Sequence, residues 1–445
     1  MKTLSTDFTL RKRRNGEYTL YDKSCEMRYV ISQKLHNFLR LFIEQPLELE
    51  QFLFYLETRN IDTSDLYECL GKSEFRNLFI PFNPEHRKEK IENRDIYTYK
   101  NLGIYTEYSP ERIDLLLTRT CNLTCKHCFE YSSPTETTTS ISFERLKTLA
   151  QEMEDLNIQT IKITGGEALM YPKIKELLEA FARKRFETII LTNAMKLSRE
   201  LCDIIARGKM KLGISLDGHI ACEHDYIRGD GAFRILLEKF KLIHEFGIHF
   251  SVTITVHSHN VNSLDAIIMY ALQELGADVV FINKLRPLGR AKQHKDIFIS
   301  WEQDKYVIEL IDKLTNIYGE NTILYSDDDA DMPLCTNTEL APATPLLCAA
   351  GNTLLSIDNK LDVYPCVYGH DQQEFLIGNL YRESLLDIWH SPKWERLRGK
   401  TLLQDIPSCL TCKRNAKCGL KNCRLKATYE GLPFLSHVSY CNPEL

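Results

Sequence analysis

The run Ile113-Asp-Leu-Leu-Leu117-Thr-Arg-Thr-Cys121-Asn-Leu-Thr-Cys125-Lys-His-Cys128 joins a short apolar segment to three closely spaced cysteines. A brief apolar stretch bounded by polar residues reads as a buried strand. Three thiolates at C-x3-C-x2-C spacing can each take one iron of a [4Fe–4S] cube and leave the fourth without a protein ligand, whereas electron-transfer clusters use four cysteines. An open iron implies chemistry at the cluster. The bland alternatives are three unrelated cysteines or a zinc knuckle. His127 reads as a packing residue rather than a ligand.

Working outward, short apolar runs alternate with amphipathic helices up to about residue 285, the pattern of a parallel sheet with right-handed crossovers. Six strands are expected: Ile113 to Leu117, Thr160 to Ile163, Thr188 to Leu191, Leu212 to Leu216, Phe250 to Val256 and Val279 to Ile282. The helices between them include Phe143 to Leu156, capped by Ser142, with Ile174 to Lys184 and Phe233 to Phe246. Six units are too few for a closed eight-stranded barrel. The fold class is therefore α/β, a partial (β/α)6 TIM-like barrel over residues 105–320, with ligands at the carboxyl ends of its strands.

Those strand ends carry polar groups. Gly165-Gly166-Glu167 follows the second strand, where glycines let backbone approach a ligand closely and a carboxylate can accept hydrogen bonds from an ammonium group. Thr192 and Asn193 follow the third strand, Ser215 and Asp217 the fourth, and Arg228 lies in Ile227-Arg-Gly229. Each taken singly is a cap or a turn; in series they make a polar rim at the cysteine end of the sheet. Arg286-Pro-Leu-Gly289-Arg290, after the sixth strand, is a basic turn as bare sequence.

Eight of the fifteen cysteines fall in the last quarter: Cys335, Cys348, Cys366, Cys409, Cys412, Cys418, Cys423 and Cys441. In a long chain without a signal peptide this usage points to metal or cluster ligation rather than disulfides. Residues 335–445 have few periodic runs, and ligation is a common substitute for a core. Cys348 and Cys366 flank a hairpin turning at Ile357-Asp-Asn359. A zinc ribbon is the rival for Cys409-x2-Cys412. Cys25, Cys69, Cys202 and Cys222 are expected to be buried structural thiols.

Residues 1–95 open with a hairpin around Asn15-Gly16, between Phe8 to Lys12 and Glu17 to Tyr21. Helical patterns follow at Leu35 to Phe42 behind a Ser32 cap, at Leu49 to Leu56 and around Leu66 to Leu70. This is a small α+β, winged-helix-like module, and Glu85 to Arg94 reads as a connector. With 56 Lys and Arg against 61 Asp and Glu, net charge −5, there is no dominant nucleic-acid surface. No stretch reaches the roughly 18 to 20 apolar residues of a membrane span, so no membrane contact and a cytoplasmic location are expected.

The cysteine motif, the Gly-Gly-Glu turn and the strand-end polar groups together resemble the radical S-adenosylmethionine enzymes, and the tail resembles their SPASM extension. The family turn usually reads Gly-Gly-Glu-Pro; Ala168 stands at the proline position here. The resemblance implies a core [4Fe–4S] cluster on Cys121, Cys125 and Cys128 whose free iron chelates S-adenosylmethionine, and reductive cleavage to a 5′-deoxyadenosyl radical that abstracts a substrate hydrogen. It implies that Gly165, Gly166 and Glu167 meet the cofactor's amino group, that Ser215 and Arg228 meet its carboxylate or ribose, and that Asn193 lies near it. It implies two auxiliary [4Fe–4S] clusters, the outer on Cys409, Cys412, Cys418 and Cys441, the inner on Cys348, Cys366 and Cys423, with Cys335 or an open iron at the inner cluster's fourth position. Runs similar to Pro287–Arg290 recur in superfamily members with this extension. The implied function is maturation of a ribosomally made precursor peptide by a thioether or carbon-carbon cross-link, with the N-terminal module taking the leader segment and a flavodoxin- or ferredoxin-type electron donor. Two alternatives remain: a sulfatase-maturing, formylglycine-generating enzyme, disfavoured by Val367 where that relative has an Asp, and a non-catalytic iron-sulfur or zinc sensor.

Overall fold

The computed structural model describes residues 2–4, 8–12, 18–22, 27–44, 53, 56, 64, 79–81, 109–136, 140–319, 322–325, 349–395, 397–398, 403–410, 425 and 428. The chain divides into two compact units, residues 1–109 with 152–157 and residues 110–151 with 158–445.

In the first unit, β1 (Lys2–Leu4) pairs with Phe79–Pro81, and β2 (Phe8–Lys12), β3 (Tyr18–Asp22) and β4 (Met27–Ile31) form an antiparallel sheet in that order. The β2–β3 pair, Lys12 opposite Tyr18, is the hairpin expected from Asn15-Gly16. The helix Gln33–Glu44 starts where expected, because the Leu35 amide donates to the Ser32 hydroxyl at 3.0 Å. It buries Leu35, Phe38 and Leu39 near Leu20 and Ile31. The helices expected at Leu49 to Leu56 and Leu66 to Leu70, the connector, Cys25 and Cys69 fall mostly or wholly outside the described residues.

The second unit is built on one ten-stranded sheet. Continuing the numbering from β5 (Phe79–Pro81), its strands are β6 (Arg112–Leu116), β7 (Thr160–Thr164), β8 (Glu187–Thr192), β9 (Lys211–Ser215), β10 (Phe250–Val256), β11 (Val279–Lys284), β12 (Ile323–Tyr325), β13 (Leu354–Ile357), β14 (Asp362–Tyr364) and β15 (Gly378–Asn379). The spatial order is β12-β11-β10-β9-β8-β7-β6-β13-β14-β15. Strands β6 to β12 run parallel, each joined to the next by a crossover. The six expected strands are all present within a residue or two, and the short β12 adds a seventh.

The sheet does not close on itself. The outer edge of β6 is taken by β13, in parallel register with Ile357 opposite Leu115, and β14 and β15 extend it antiparallel. The open barrel and the cysteine hairpin are thus one sheet, a continuity the sequence did not predict. Strand positions facing the helices are fully buried at Ile113, Leu115, Ile161, Ile163, Ile190, Leu212, Ile214, Val252, Ile254, Val280 and Ile282. Each such side chain contributes about 1.5–3 kcal/mol on burial. Helices Phe143–Asp155, Ile174–Phe181, Arg199–Arg207 and Ala232–Glu245 alternate with the strands. Ser142 caps the first, its hydroxyl accepting from the Arg145 amide. Among the described residues no helix is long and apolar enough to cross a membrane.

Candidate active site

The loop leaving β6 carries Cys121, Cys125 and Cys128 at the carboxyl end of the sheet. It is fixed from three sides. The Cys121 amide donates to the Ser133 carbonyl at 3.1 Å and the Lys126 amide to Ile227 O at 3.0 Å. The loop after β7 lies directly on it, with the Gly166 amide donating to Thr118 O at 2.7 Å and the Glu167 amide to Thr120 O at 2.9 Å. A Cβ on Gly166 would stand 2.5 Å from the carbonyl oxygens of Arg119 and Thr120, so only glycine fits. These glycines, expected to let backbone approach a ligand closely, here also let the loop lie against the backbone leading into the cysteines.

Glu167 is 1% exposed and binds protein donors on both oxygens. Its Oε1 accepts from the Leu169 amide at 3.0 Å and from the Thr192 hydroxyl at 2.6 Å, and its Oε2 from the Asn193 amide at 2.9 Å. Burial nonetheless raises its pKa, against the opposing effect of those bonds. A carboxylate offers about four acceptor positions, so one on Oε2 is left for a further donor such as an ammonium group. Asn193 turns its amide toward the cysteine loop, with Nδ2 3.1 Å from Asn122 Oδ1 and 3.9 Å from Cys121 Sγ.

Arg228 and Asp217 form a buried ion pair on the other flank. Arg228 Nε donates to Asp217 Oδ2 at 2.6 Å, and Asp217 Oδ1 accepts from the Thr255 amide at 2.8 Å. The Asp217 carboxyl is held well below the usual carboxylate range by Arg228 and the neighbouring histidines, which outweigh burial. His127 Nε2 stands 3.8 Å from Asp217 Oδ2. His127, expected to pack rather than ligate, is largely buried, and burial pushes it down to about 3. Ser215 ends β9 opposite Thr253, half-buried at the same end of the sheet.

Burial pushes Cys121 up to about 12 and Cys125 up to about 11. Bare thiols here hold their protons, and binding a metal center requires releasing them. The site fits an iron-sulfur cube. All three donors are soft thiols, and the Leu123 amide points at Cys121 Sγ at 3.4 Å, a donor of the kind that tunes cluster sulfur.

Several contacts had little or no sequence signal. Gly289 and Arg290, read as a turn, lie against the cysteine loop: the Arg290 amide donates to Cys128 O at 2.9 Å and its guanidinium to Cys125 O at 2.8 Å. Behind the loop, Glu130 Oε1 lies 3.0 Å from His370 Nδ1, and His370 Nε2 lies 2.8 Å from Ser356 Oγ on β13. Arg119 pairs with Asp371 at 2.6 Å and lies 3.6 Å from Glu130. The cysteine loop and the segment after Cys366 are therefore linked by buried polar contacts. Cys366 and Cys409 are described; Cys335, Cys348, Cys412, Cys418, Cys423 and Cys441 are outside the described residues. Cys202 is buried as expected, but Cys222 is exposed, because the helix Ala221–Arg228 turns His224, Ile227 and Arg228 inward and leaves its first turn in solvent.

The Radical SAM superfamily profile matches residues 115–271, and SPASM, an iron-sulfur cluster-binding domain, matches residues 348–414. The chain thus carries a radical SAM domain, of a superfamily whose cofactors are a [4Fe–4S] cluster and S-adenosylmethionine, and a SPASM domain, which binds auxiliary iron-sulfur clusters. It is 28% identical over 316 residues to the antilisterial bacteriocin subtilosin biosynthesis protein AlbA of Bacillus subtilis, covering 70% of this chain and 66%, just under two thirds, of that protein. It is 28% identical to the mycofactocin maturase MftC of Mycobacterium ulcerans over 71% of this chain and 84% of that one. It is 23% identical to an AdoMet-dependent heme synthase of Methanosarcina barkeri over 75% and 96%. Streptococcus suis SuiB bound to precursor peptide SuiA shares the fold at TM-score 0.72 and 17% identity, over 99% of this chain and all of that one.

Proposed function

We propose that this enzyme modifies a ribosomally made precursor peptide, forming a side-chain cross-link of thioether or carbon-carbon type. The observation that carries the peptide half of the reading is the N-terminal sheet. Its order β2-β3-β4 leaves β4 at an edge among the described strands, with Val30 68% exposed there. An extended leader segment can add to such an edge as a further strand. Likeness to AlbA and MftC, whose names describe bacteriocin biosynthesis and a maturase, supports the same reading.

In this reading Cys121, Cys125 and Cys128 hold the core cluster. Gly165, Gly166 and the remaining acceptor position of Glu167 receive the cofactor's amino group. Arg228, oriented by Asp217, and Ser215 face its carboxylate or ribose, and Asn193 lines the cysteine side. Cys348, Cys366 and Cys423 serve the inner auxiliary cluster, and Cys409, Cys412, Cys418 and Cys441 the outer one. When bound, the core cluster and S-adenosylmethionine supply the one-electron chemistry that removes a substrate hydrogen atom. The protein's share is to orient one C–H bond and exclude water. A flavodoxin- or ferredoxin-type protein is the proposed electron source, and the cytoplasm the proposed location. Formylglycine formation is the weaker reading, since Val367 supplies no carboxylate in the turn after Cys366.

The test is coexpression with a short peptide encoded beside the gene, read by mass spectrometry. Loss of two hydrogens is expected. An unchanged peptide under conditions where the cofactor is cleaved would remove the cross-link proposal. Deleting residues 1–95 should weaken peptide binding more than uncoupled cofactor cleavage; unchanged affinity would remove the leader-binding role.

A further inference from the structure

We infer that Arg290 is the positioning residue of the three-cysteine loop, and that its charge favours the reduced core cluster. The inference rests on the assignment of that cluster to Cys121, Cys125 and Cys128.

Four contacts fasten this one residue to the loop. Its amide donates to Cys128 O at 2.9 Å, and its guanidinium donates to Cys125 O at 2.8 Å, Tyr131 O at 3.2 Å and Ser132 O at 2.6 Å. The side chain therefore spans the loop from its second cysteine to the residues beyond its third. Tyr131 takes φ 59°, a region an aromatic side chain rarely adopts, and in that conformation its carbonyl meets Arg290 while its ring lies 5.1 Å from the guanidinium. Gly289 takes φ 52°, and a Cβ there would overlap the carbonyl oxygens of Cys128 and Phe129. The segment after β11 is thus built to close on the cysteine loop.

The charge has a separate consequence. Among the described residues, every hydrogen-bond acceptor of the Arg290 guanidinium is a backbone carbonyl, and no carboxylate forms an ion pair with it. A cation balanced only by carbonyl dipoles keeps most of its field. A cluster takes on negative charge when reduced, so a cation beside its ligands raises its potential. Arginine meets both needs: its planar fork reaches several carbonyls at once, and it stays protonated.

Two substitutions separate these roles. Arg290→Lys keeps the charge and loses the fork; Arg290→Gln loses the charge. Hydrogen-deuterium exchange over residues 121–132 of the cluster-free protein reads positioning without any cofactor. Exchange at least tenfold faster in Arg290→Lys is expected, and wild-type exchange there would overturn the positioning role. Redox titration of the electron paramagnetic resonance signal that responds to added S-adenosylmethionine reads the charge. At fixed poise, Arg290→Gln should reduce about tenfold less readily than Arg290→Lys, about 59 mV for a one-electron couple. Equal potentials would overturn the charge role. If Arg290→Gln holds no cluster, the charge is read in Arg290→Met against Arg290→Lys, where a lower potential in the Met variant that narrows at rising ionic strength supports the charge role and equal potentials overturn it. A wild-type protein without that signal would instead remove the cluster assignment and leave the exchange result standing.

Discussion

Replacing Asp217 with Asn removes one charge and almost no volume, at a point where the structure sets the penalty. Asp217 is 0% exposed and Arg228 8% exposed, so neither charge reaches bulk water. In Asp217→Asn the Thr255 amide can still find an oxygen, but one side-chain orientation then presents an NH2 group to Arg228 Nε, donor against donor. The guanidinium is left buried and unpaired, a situation that destabilises by about 3–5 kcal/mol. At 1.4 kcal/mol per tenfold, this corresponds to roughly two to three and a half orders of magnitude in local opening. A chain of this size need not unfold in two states, so the assay is native-state hydrogen exchange at residues 212–228 and 250–257 in the cluster-free protein. The double variant Asp217→Leu, Arg228→Met leaves no orphan charge and should be less destabilised than the sum of its single changes. A loss below about 1 kcal/mol in Asp217→Asn, or strict additivity in the cycle, would refute the claim that this pair is a buried ion pair fixing the strand ends.

Gly166→Ala should separate the Glu167 loop from the cysteine loop, since its methyl meets two carbonyl oxygens at 2.5 Å; overpacking of this kind costs about 1–3 kcal/mol, and iron retention equal to wild type would show that the close approach is dispensable. Cys125→Ala should abolish cofactor cleavage, and cleavage at the wild-type rate would exclude it from the core cluster set. His224 and His257 are both lowered to about 4 by burial, from an ordinary value near 6.5. Their contribution is complete above pH 6.5 and declines as pH falls toward 4, by roughly 3 kcal/mol for each at the limit, because the unfolded chain binds the protons first. Exchange-derived stability of β10 that stays constant from pH 7 to 4.5, after correction for intrinsic rates, would contradict it. His370→Ala removes contacts to Ser356 and Glu130 and should destabilise by about 1.5–3 kcal/mol; an unchanged denaturation profile would mean the network behind the cysteine loop carries no weight.

Local periodicity made much of the core readable. The stretch Phe250 to Val256 is a strand over those same residues because its alternation of large apolar and small polar side chains is a property of seven consecutive positions. The helix beginning at Phe143 was readable for the same reason, with Ser142 as its cap. Contacts between distant segments were not. The pairing of Ile357 with Leu115 and the His370–Glu130 contact leave no periodic trace, and β12 is only three residues long. Arg290 was hidden differently: its partners are carbonyl oxygens, which every residue carries, so nothing in side-chain identity marks them. The candidate rim was partly readable. Glu167 and Asn193 do meet beside Cys121, and Arg228 does lie on the same end of the sheet, but the role of Asp217 in holding it emerged only from geometry.

The neighbour of β6 on its outer side lies far along the chain, the Ser356 hydroxyl donating to Asp114 O across 242 positions. During synthesis at about 5–20 residues per second, roughly 10 to 50 s separate emergence of the first barrel strand from arrival of the strand that covers it. Through that interval the nascent protein presents a bare row of amides and carbonyls beside its future metal loop, open to mispairing with other chains. Overproduction at low temperature, or with extra chaperone, should therefore raise the yield of the intact enzyme, and a version ending before residue 354 should collect in inclusion bodies.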